Sequence, residues 1–200
     1  MEHPGLKLRL AAAVCVDAIG PAEPRNLSND ILTRSRGTAE PGSTTPAGAG
    51  EPTSGRVVPM TQRLNRFIDA QDRGGRYEAA LSELRAGRKR SHWMWFVFPQ
   101  VSGLGRSDTA RFYALSGLDE ARDYLADPVL GPRLIECAVA LLSLPGSDPV
   151  AVMGGTDALK LRSCMTLFVH ASDDRGGATF EAVLDKYFAG AEDEATLSRI

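Results

Sequence analysis

Apolar and polar residues follow a helical rather than a strand-like period over most of the chain after Met60. Apolar side chains recur every three or four residues, the spacing that lines one face of an α-helix. These stripes fall within residues 64–68, 77–84, 121–125, 130–142, 161–168 and 180–188. The pattern predicts a mostly α, single compact domain of about six or seven helices.

Helix boundaries are marked by particular residues. Asp127-Pro128 and Asp148-Pro149 each place a proline directly after an acidic residue that suits the N-cap position. Gly87 and Gly190 follow the last apolar residue of their stripes, where a C′ glycine is common. Thr156 is the expected N-cap of the helix that runs from Asp157 to about His170.

One stretch departs from this period. Three cations, Arg88-Lys89-Arg90, come just before six consecutive apolar residues, Trp93 to Phe98. The apolar run must be buried, whereas unpaired cations cannot follow it into the core. It is either a short buried helix that begins at Ser91 and stops at Pro99, or a buried strand, because periodicity cannot distinguish the two over so short a run. Such a boundary is where a pocket with a polar mouth and an aromatic floor can form.

Residues 1–59 differ from the rest of the chain. They contain no Phe, Trp or Tyr and hold seven of the twelve prolines. Without aromatic side chains and periodically spaced apolar residues, such a segment cannot offset the entropy lost on ordering. We expect either a disordered N-terminal segment or an extension that is not part of the natural protein, with Met60 as the true start. Residues 60–200 form the predicted helical domain.

Charge and composition exclude some functions. The formal net charge of −2 provides no basic field for nucleic acid or for a membrane surface. Three cysteines, Cys15, Cys137 and Cys164, are too few and too widely spaced for a disulfide framework or a zinc site. The longest apolar runs are too short to span a bilayer. We expect a cytoplasmic protein with no metal and no cofactor.

Five ordered motifs between about Arg63 and Gly190 resemble the bacterial family called domain of unknown function 1810. The resemblance implies a mainly helical fold and assigns no activity or catalytic residue, so it leaves open whether the protein is an enzyme. Cys164 stands where the family pattern suggests a second serine after Ser163. The motifs are RFIDAQ (66–71), LRAGRKRSHWMWFVFPQ (84–100), GLGRS (103–107), DPVLGPRL (127–134) and LKLRSCMTLF (159–168).

Candidate site residues concentrate in three of these motifs. His92 can act as a general base, although a lone histidine is more often structural. The tryptophans could stack on a planar ligand or fill the core. The cations could bind an anion or lie on a solvated face. Gly103-Leu104-Gly105 could cradle an anion or form an ordinary tight loop. Besides His92, the predicted ligand-binding residues are Lys89, Trp93, Trp95, Gln100, Gly103, Gly105, Arg106, Ser107, Lys160 and Arg162.

The leading hypothesis is a small domain that binds, and through His92 could process, an anionic planar molecule such as a nucleotide or an ADP-ribose-like compound. It requires His92, Lys89, Arg106 and Lys160 to surround a common cavity. The alternative is a non-catalytic protein–protein interaction module, in which the basic edge and exposed aromatic residues dock an unidentified protein. A nucleic-acid ligand is disfavoured because one short basic run offers few phosphate contacts.

Overall fold

The structure, a computed structural model, describes residues 60–173 and 176–200. The predictions for residues 1–59 therefore lie outside the described residues. Ten helices occur in the described part of the chain, six of them longer than five residues, which agrees with the predicted count. The helices are α1 (Met60–Asp72), α2 (Arg76–Arg85), α3 (Met94–Val97), α4 (Asp108–Phe112), α5 (Leu118–Ala126), α6 (Leu130–Leu142), α7 (Pro149–Met153), α8 (Gly155–Ala171), α9 (Ala178–Phe188) and α10 (Glu194–Leu197).

Helix α8 lies at the centre of the fold. It packs against α5, α7, α9 and α10, while α6 packs against α2, α5 and α9. The predicted core face of α8 is buried, with Leu161, Cys164 and Phe168 fully enclosed. Ser163 and Leu167, on another face, are buried as well, because a helix with neighbours on several sides has little free surface.

The apolar run of residues 93–98 forms a short helix, so the strand alternative is wrong. Helix α3 covers Met94 to Val97, with Trp93 at its N-cap position, so the predicted start at Ser91 is wrong. The hydroxyl of Ser91 binds Glu83 instead. All six residues of the run except Trp95 are buried. The described residues contain no β-strand; the nearest feature is a single bridge between Val101 and Leu115. Burial of this run stabilises the fold by several kcal/mol, at about 25 cal/mol per Å² of apolar surface.

Two of the three predicted N-caps are confirmed and one is wrong. Asp148 caps α7 by accepting hydrogen bonds from the backbone N–H groups of Val150 and Ala151. Asp127 accepts from two backbone N–H groups at the start of α6. Thr156, however, is already helical, because Gly154, at a φ of 81°, turns the chain directly from α7 into α8.

An ion pair ties α1 to α5. Arg66 Nη2 lies 2.8 Å from Glu120 Oε1 and also donates to the carbonyl of Ala114 at 3.0 Å. Both side chains are largely buried, so each charge depends on the other for compensation. Among the described residues, no helix is long and apolar enough to cross a membrane.

Candidate functional site

A cleft of about 860 Å³ opens between α2, α3 and α4. Its volume is within the range of roughly 300–1,000 Å³ that is common for small-molecule sites. Aromatic rings supply much of its wall, and charged and hydroxyl groups stand at its edge. The lining residues are Arg76, Ala79, Ser91, His92, Trp93, Trp95, Phe96, Asp108, Thr109, Phe112 and Tyr113.

The aromatic rings of the cleft range from buried, on the side of the core, to exposed, on the side of the solvent. Tyr113 packs against Phe96, with ring centroids 5.6 Å apart, and against Phe112 at 4.9 Å. Phe96 is buried, Trp95 is half-buried, and 59% of Phe112 is exposed. Exposed aromatic surface is costly to leave in water, so the open rings are available for stacking with a planar ligand.

Two groups at the cleft have no polar partner within the described residues. The guanidinium of Arg76 lies 5.9 Å from the centre of the Phe96 ring and pairs with no described carboxylate. His92 is exposed at the cleft, and its imidazole makes no hydrogen bond to a described group. An arginine can bind a carboxylate or phosphate through two parallel N–H bonds, and an exposed imidazole can accept or donate a proton.

The two predicted lysines share one carboxylate beside the cleft. Lys89 Nζ and Lys160 Nζ each lie 2.7 Å from an oxygen of Asp157. Burial would raise the pKa of Asp157, but the hydrogen bonds and charges of the two lysines hold it below its usual value. Two ammonium groups and one carboxylate leave this cluster with one net positive charge.

The lysine cluster reaches the cleft through the tryptophans. Lys160 Nζ lies 4.6 Å from the centre of the Trp95 ring, and Lys89 Nζ lies 5.0 Å from that of Trp93. Both indoles line the cleft, so the positive charge is next to its wall. Cation–π contacts of this kind hold a cation and a ring in a fixed relative position.

The structure thus brings together part of the predicted site. His92, Trp93 and Trp95 line the cleft, and Lys89 and Lys160 stand behind its indoles. Arg106 is exposed in the loop before α4 and is not among the lining residues.

The predicted glycine loop has a conformational explanation. Gly103 adopts a φ of 89°, which favours glycine. A Cβ on Gly105 would lie 2.3 Å from Cβ of Ala110, so the loop approaches α4 too closely for any other residue. Ser107 caps α4 by accepting a hydrogen bond from the backbone N–H of Ala110 at 3.1 Å. These contacts explain the residues without a bound anion.

Two further predicted residues lie away from the lining of the cleft. Arg162 Nη2 is 3.5 Å from Asp193 Oδ1, in front of α10. The carbonyl of Gln100 accepts from the backbone N–H of Leu115, beside the isolated bridge.

Most of the cleft lining was not predicted from the sequence, and Arg76 and Phe112 are examples. Two carboxylates that bind neighbouring cations and amides, Glu83 and Asp157, were not predicted either. Asp157 carried a recognisable signal, because it precedes Lys160 by three residues in a helix, the spacing of an ion pair. Glu83 stands only seven residues before Arg90, within reach of the basic run. Arg76 and Phe112 carried no signal, since their place in the cleft depends on tertiary packing.

The comparisons with known proteins agree with the fold. A family described as "Protein of unknown function (DUF1810)" matches residues 61–200. The chain belongs to this family. A similar solved structure is that of the conserved hypothetical protein Rv1873 from Mycobacterium tuberculosis, at 47% sequence identity and a TM-score of 0.64. The similarity covers 68% of this chain and 94% of the mycobacterial one. No protein of curated function matches the chain.

The descriptions of the family and of the mycobacterial neighbour name no activity, so a function is inferred from the chemistry of the residues. Within residues 60–173 and 176–200, no three His, Cys, Asp or Glu side chains gather closely enough to hold a metal ion. Cys137 and Cys164 are buried, and burial raises the pKa of both thiols, that of Cys137 to about 12. Neither is an accessible thiolate nucleophile at neutral pH.

Proposed function

We propose that this chain is a small-molecule-binding protein whose cleft takes an anionic, planar ligand such as a nucleotide or an ADP-ribose-like compound. The observation on which this rests is the combination of an aromatic wall with an arginine that has no carboxylate partner among the described residues. The rings supply a stacking surface, and Arg76 supplies the charge that an anion requires.

Electrostatics favours an anion over a cation at this site. Arg76 and the lysine cluster each contribute one positive charge, whereas Asp108 is the one acidic residue in the lining. Asp108 is fully exposed and lies 3.8 Å from Arg111, so solvent and a nearby cation both weaken its field. The ionised carboxylate of Glu83, which binds the indole N–H of Trp93, adds a second negative charge. Arg76, Arg111 and the lysine cluster together still exceed Asp108 and Glu83 by one positive charge.

His92 is the group best placed for chemistry if the bound ligand is turned over. Its imidazole is exposed at the cleft, whose lining also includes the hydroxyl-bearing residues Ser91 and Thr109. A histidine in this position can take a proton from an attacking hydroxyl or water and return it to a leaving group. Binding alone does not require this step.

Intrinsic fluorescence provides a direct test, because both tryptophans of the chain line the cleft. We expect AMP or ADP-ribose to quench the emission and to raise the melting temperature. Arg76→Gln should weaken the affinity by about tenfold, the value of one hydrogen-bonded charge. Arg122→Gln, which removes an exposed arginine outside the cleft lining, is the matched control. Absence of any response in the wild type, or equal affinity in Arg76→Gln, would sink the proposal.

The protein–protein module is the second candidate, favoured by one observation. Phe112, which lines the cleft, is exposed. Arg88 and Arg90, in the basic run of residues 88–90, are exposed as well. Exposed aromatic and arginine side chains are enriched at protein interfaces. This alternative requires a protein that is retained by the chain and released by Arg88→Glu/Arg90→Glu, together with no response to nucleotides.

A further inference from the structure

The carboxylate of Glu83 in α2 accepts hydrogen bonds from several groups of the segment from Arg90 to Trp93. Glu83 Oε2 accepts from the backbone N–H groups of Arg90 at 2.7 Å and Ser91 at 3.1 Å. The same oxygen accepts from the indole N–H of Trp93 at 2.8 Å. Its other oxygen, Oε1, accepts from the hydroxyl of Ser91 at 2.7 Å. Four hydrogen bonds thus converge on one side chain.

These bonds surround His92 without including it. Glu83 binds the backbone of Ser91, immediately before His92, and the indole of Trp93, immediately after it, so the chain is anchored on both sides of the histidine. The imidazole makes no hydrogen bond to a described group and stays at the cleft. Because a fixed backbone restricts the directions that a side chain can take, the arrangement presents the imidazole to the cleft.

Asp157 holds the other end of the segment through Lys89. The ammonium of Lys89 binds Asp157 and also donates to the carbonyl of Ser91 at 2.7 Å. The segment is therefore fastened to α2 by one carboxylate and to α8 by another. Hydrogen bonds to ionised groups are roughly twice as strong as neutral ones, so both fastenings depend on charge.

Glu83 remains ionised throughout the physiological range. Burial works to raise its pKa, but the hydrogen bonds donated by Arg90, Ser91 and Trp93 outweigh burial and lower the pKa from 4.5 to about 2. No described cation lies within ion-pair distance of this carboxylate. Its hydrogen-bond donors are therefore what stabilise its charge.

We propose that Glu83 is the positioning residue of the cleft: its carboxylate orders residues 90–93, so that the exposed His92 is held at the ligand site while the buried indole of Trp93 stays packed in the wall behind it. The proposal rests on the proposed function in one respect, namely that the cleft beside the ordered segment binds a ligand. The ordering itself is a property of the ligand-free chain and is tested without ligand.

The test compares Glu83→Ala, Glu83→Gln and Glu78→Ala in the full chain labelled with nitrogen-15. Alanine removes every acceptor. Glutamine is the conservative rescue, because its carbonyl oxygen can accept the three N–H bonds while its amide donates to the Ser91 hydroxyl. Glu78 is exposed on the same helix and makes no hydrogen bond to a described residue, so it is the matched control.

The ligand-free readouts are the indole resonance of Trp93 and the exchange rates of the Arg90 and Ser91 amides. In Glu83→Ala we expect these three protons to exchange at least about tenfold faster, as the loss of hydrogen bonds to a charged acceptor implies. The Trp95 indole and the amides within α2 should be unchanged, and Glu83→Gln should recover most of the protection. Unchanged exchange in Glu83→Ala would overturn the proposal. If Glu83→Ala does not fold, the folded Glu83→Gln variant is measured in its place. Fast amide exchange throughout that variant, in α2 as well as in residues 90–93, would then overturn the proposal.

The second readout is the affinity for AMP by tryptophan fluorescence. We expect Glu83→Ala to weaken binding by about tenfold or more, with Glu83→Gln within about threefold of the wild type. Wild-type affinity in a Glu83→Ala variant whose segment exchanges rapidly would contradict the positioning role. If AMP does not bind the wild type, the proposed function fails, whereas the exchange rates still show whether Glu83 orders the segment.

Discussion

Two aromatic clusters of this protein have similar distances between ring centroids but differ in their exposure to solvent. In the core, Phe168 lies 5.5 Å from Tyr124 and 5.7 Å from Phe180, measured between ring centroids. In the cleft, the corresponding distances from Tyr113 to Phe96 and Phe112 are 5.6 and 4.9 Å. The three core rings are fully buried, while 59% of Phe112 is exposed. Ring contacts alone therefore do not distinguish a core from a binding site.

Polar partners distinguish the two clusters. In the core, Gln71 Nε2 donates to the hydroxyl of Tyr124 at 3.2 Å. Burial raises the pKa of Tyr124 well above 10, so its hydroxyl stays neutral. In the cleft, Arg76 and His92 lack such partners among the described residues. The core satisfies its polar groups internally, whereas the cleft leaves groups for another molecule.

The largest effect on the free energy of unfolding is expected from a substitution in the core cluster. Phe168→Ala should lower the free energy of unfolding by about 3–5 kcal/mol, because it leaves a cavity between α5, α8 and α9. Urea unfolding followed by circular dichroism measures the change. A loss below about 1 kcal/mol would mean that the core is able to collapse around the site and is not as rigidly packed as the structure indicates.

The next effect concerns the ion pair between Arg66 and Glu120. Glu120→Gln should cost about 2–3 kcal/mol, because Arg66 keeps a largely buried charge without its counter-ion. Urea unfolding at pH 7 measures this loss.

The effect of Glu120 should depend on pH. Burial would raise the pKa of Glu120, but hydrogen bonds from Arg66 and Ser116 hold it below its ordinary value of 4.5. A carboxyl with a lowered pKa in the folded state stabilises the fold above its unfolded pKa, and this contribution is lost as the pH falls through the folded pKa. The unfolding free energies of wild type and Glu120→Gln should therefore converge as the pH falls below about 4.5. A constant difference between pH 7 and pH 3 would contradict the assignment.

The smallest effect on stability is expected in the cleft. Phe112→Ala should change the free energy of unfolding by less than about 0.5 kcal/mol, because its ring is mostly exposed. The same change should weaken AMP binding by about fivefold or more, since stacking on an aromatic ring contributes about 1–3 kcal/mol per base. Leu159→Ala, an exposed apolar side chain outside the cleft lining, should alter neither quantity. A large loss of stability in Phe112→Ala would place this ring in the core instead.

The sequence allowed most of the helices to be predicted, because their signals are local. Apolar stripes repeat every three or four residues, and the caps at Asp127 and Asp148 lie next to the residues whose N–H groups they bind. The burial of residues 93–98, with the exception of the half-buried Trp95, followed from their composition alone. Thr156 failed as a cap because the turn at Gly154 determines where α8 begins, and two adjacent glycines leave that boundary open in the sequence.

The candidate site could be predicted only in part, for a physical reason. His92, Trp93 and Trp95 were recognisable because their chemistry is concentrated in one short stretch. Arg76 and Phe112 belong to helices that meet only in the folded chain. Whether a lysine is available to a ligand depends on the nearest carboxylate, and tertiary contact gave Lys89 and Lys160 the same partner, Asp157.

By itself, the sequence determined a helical domain and a basic, aromatic stretch at the edge of its core, because hydrophobic period and local composition act over a few residues. Only the tertiary structure decided which charges are paired, which rings stay open and which carboxylate orders the segment around His92. Those properties depend on distances between side chains far apart in the chain, and such distances exist only once the helices have packed.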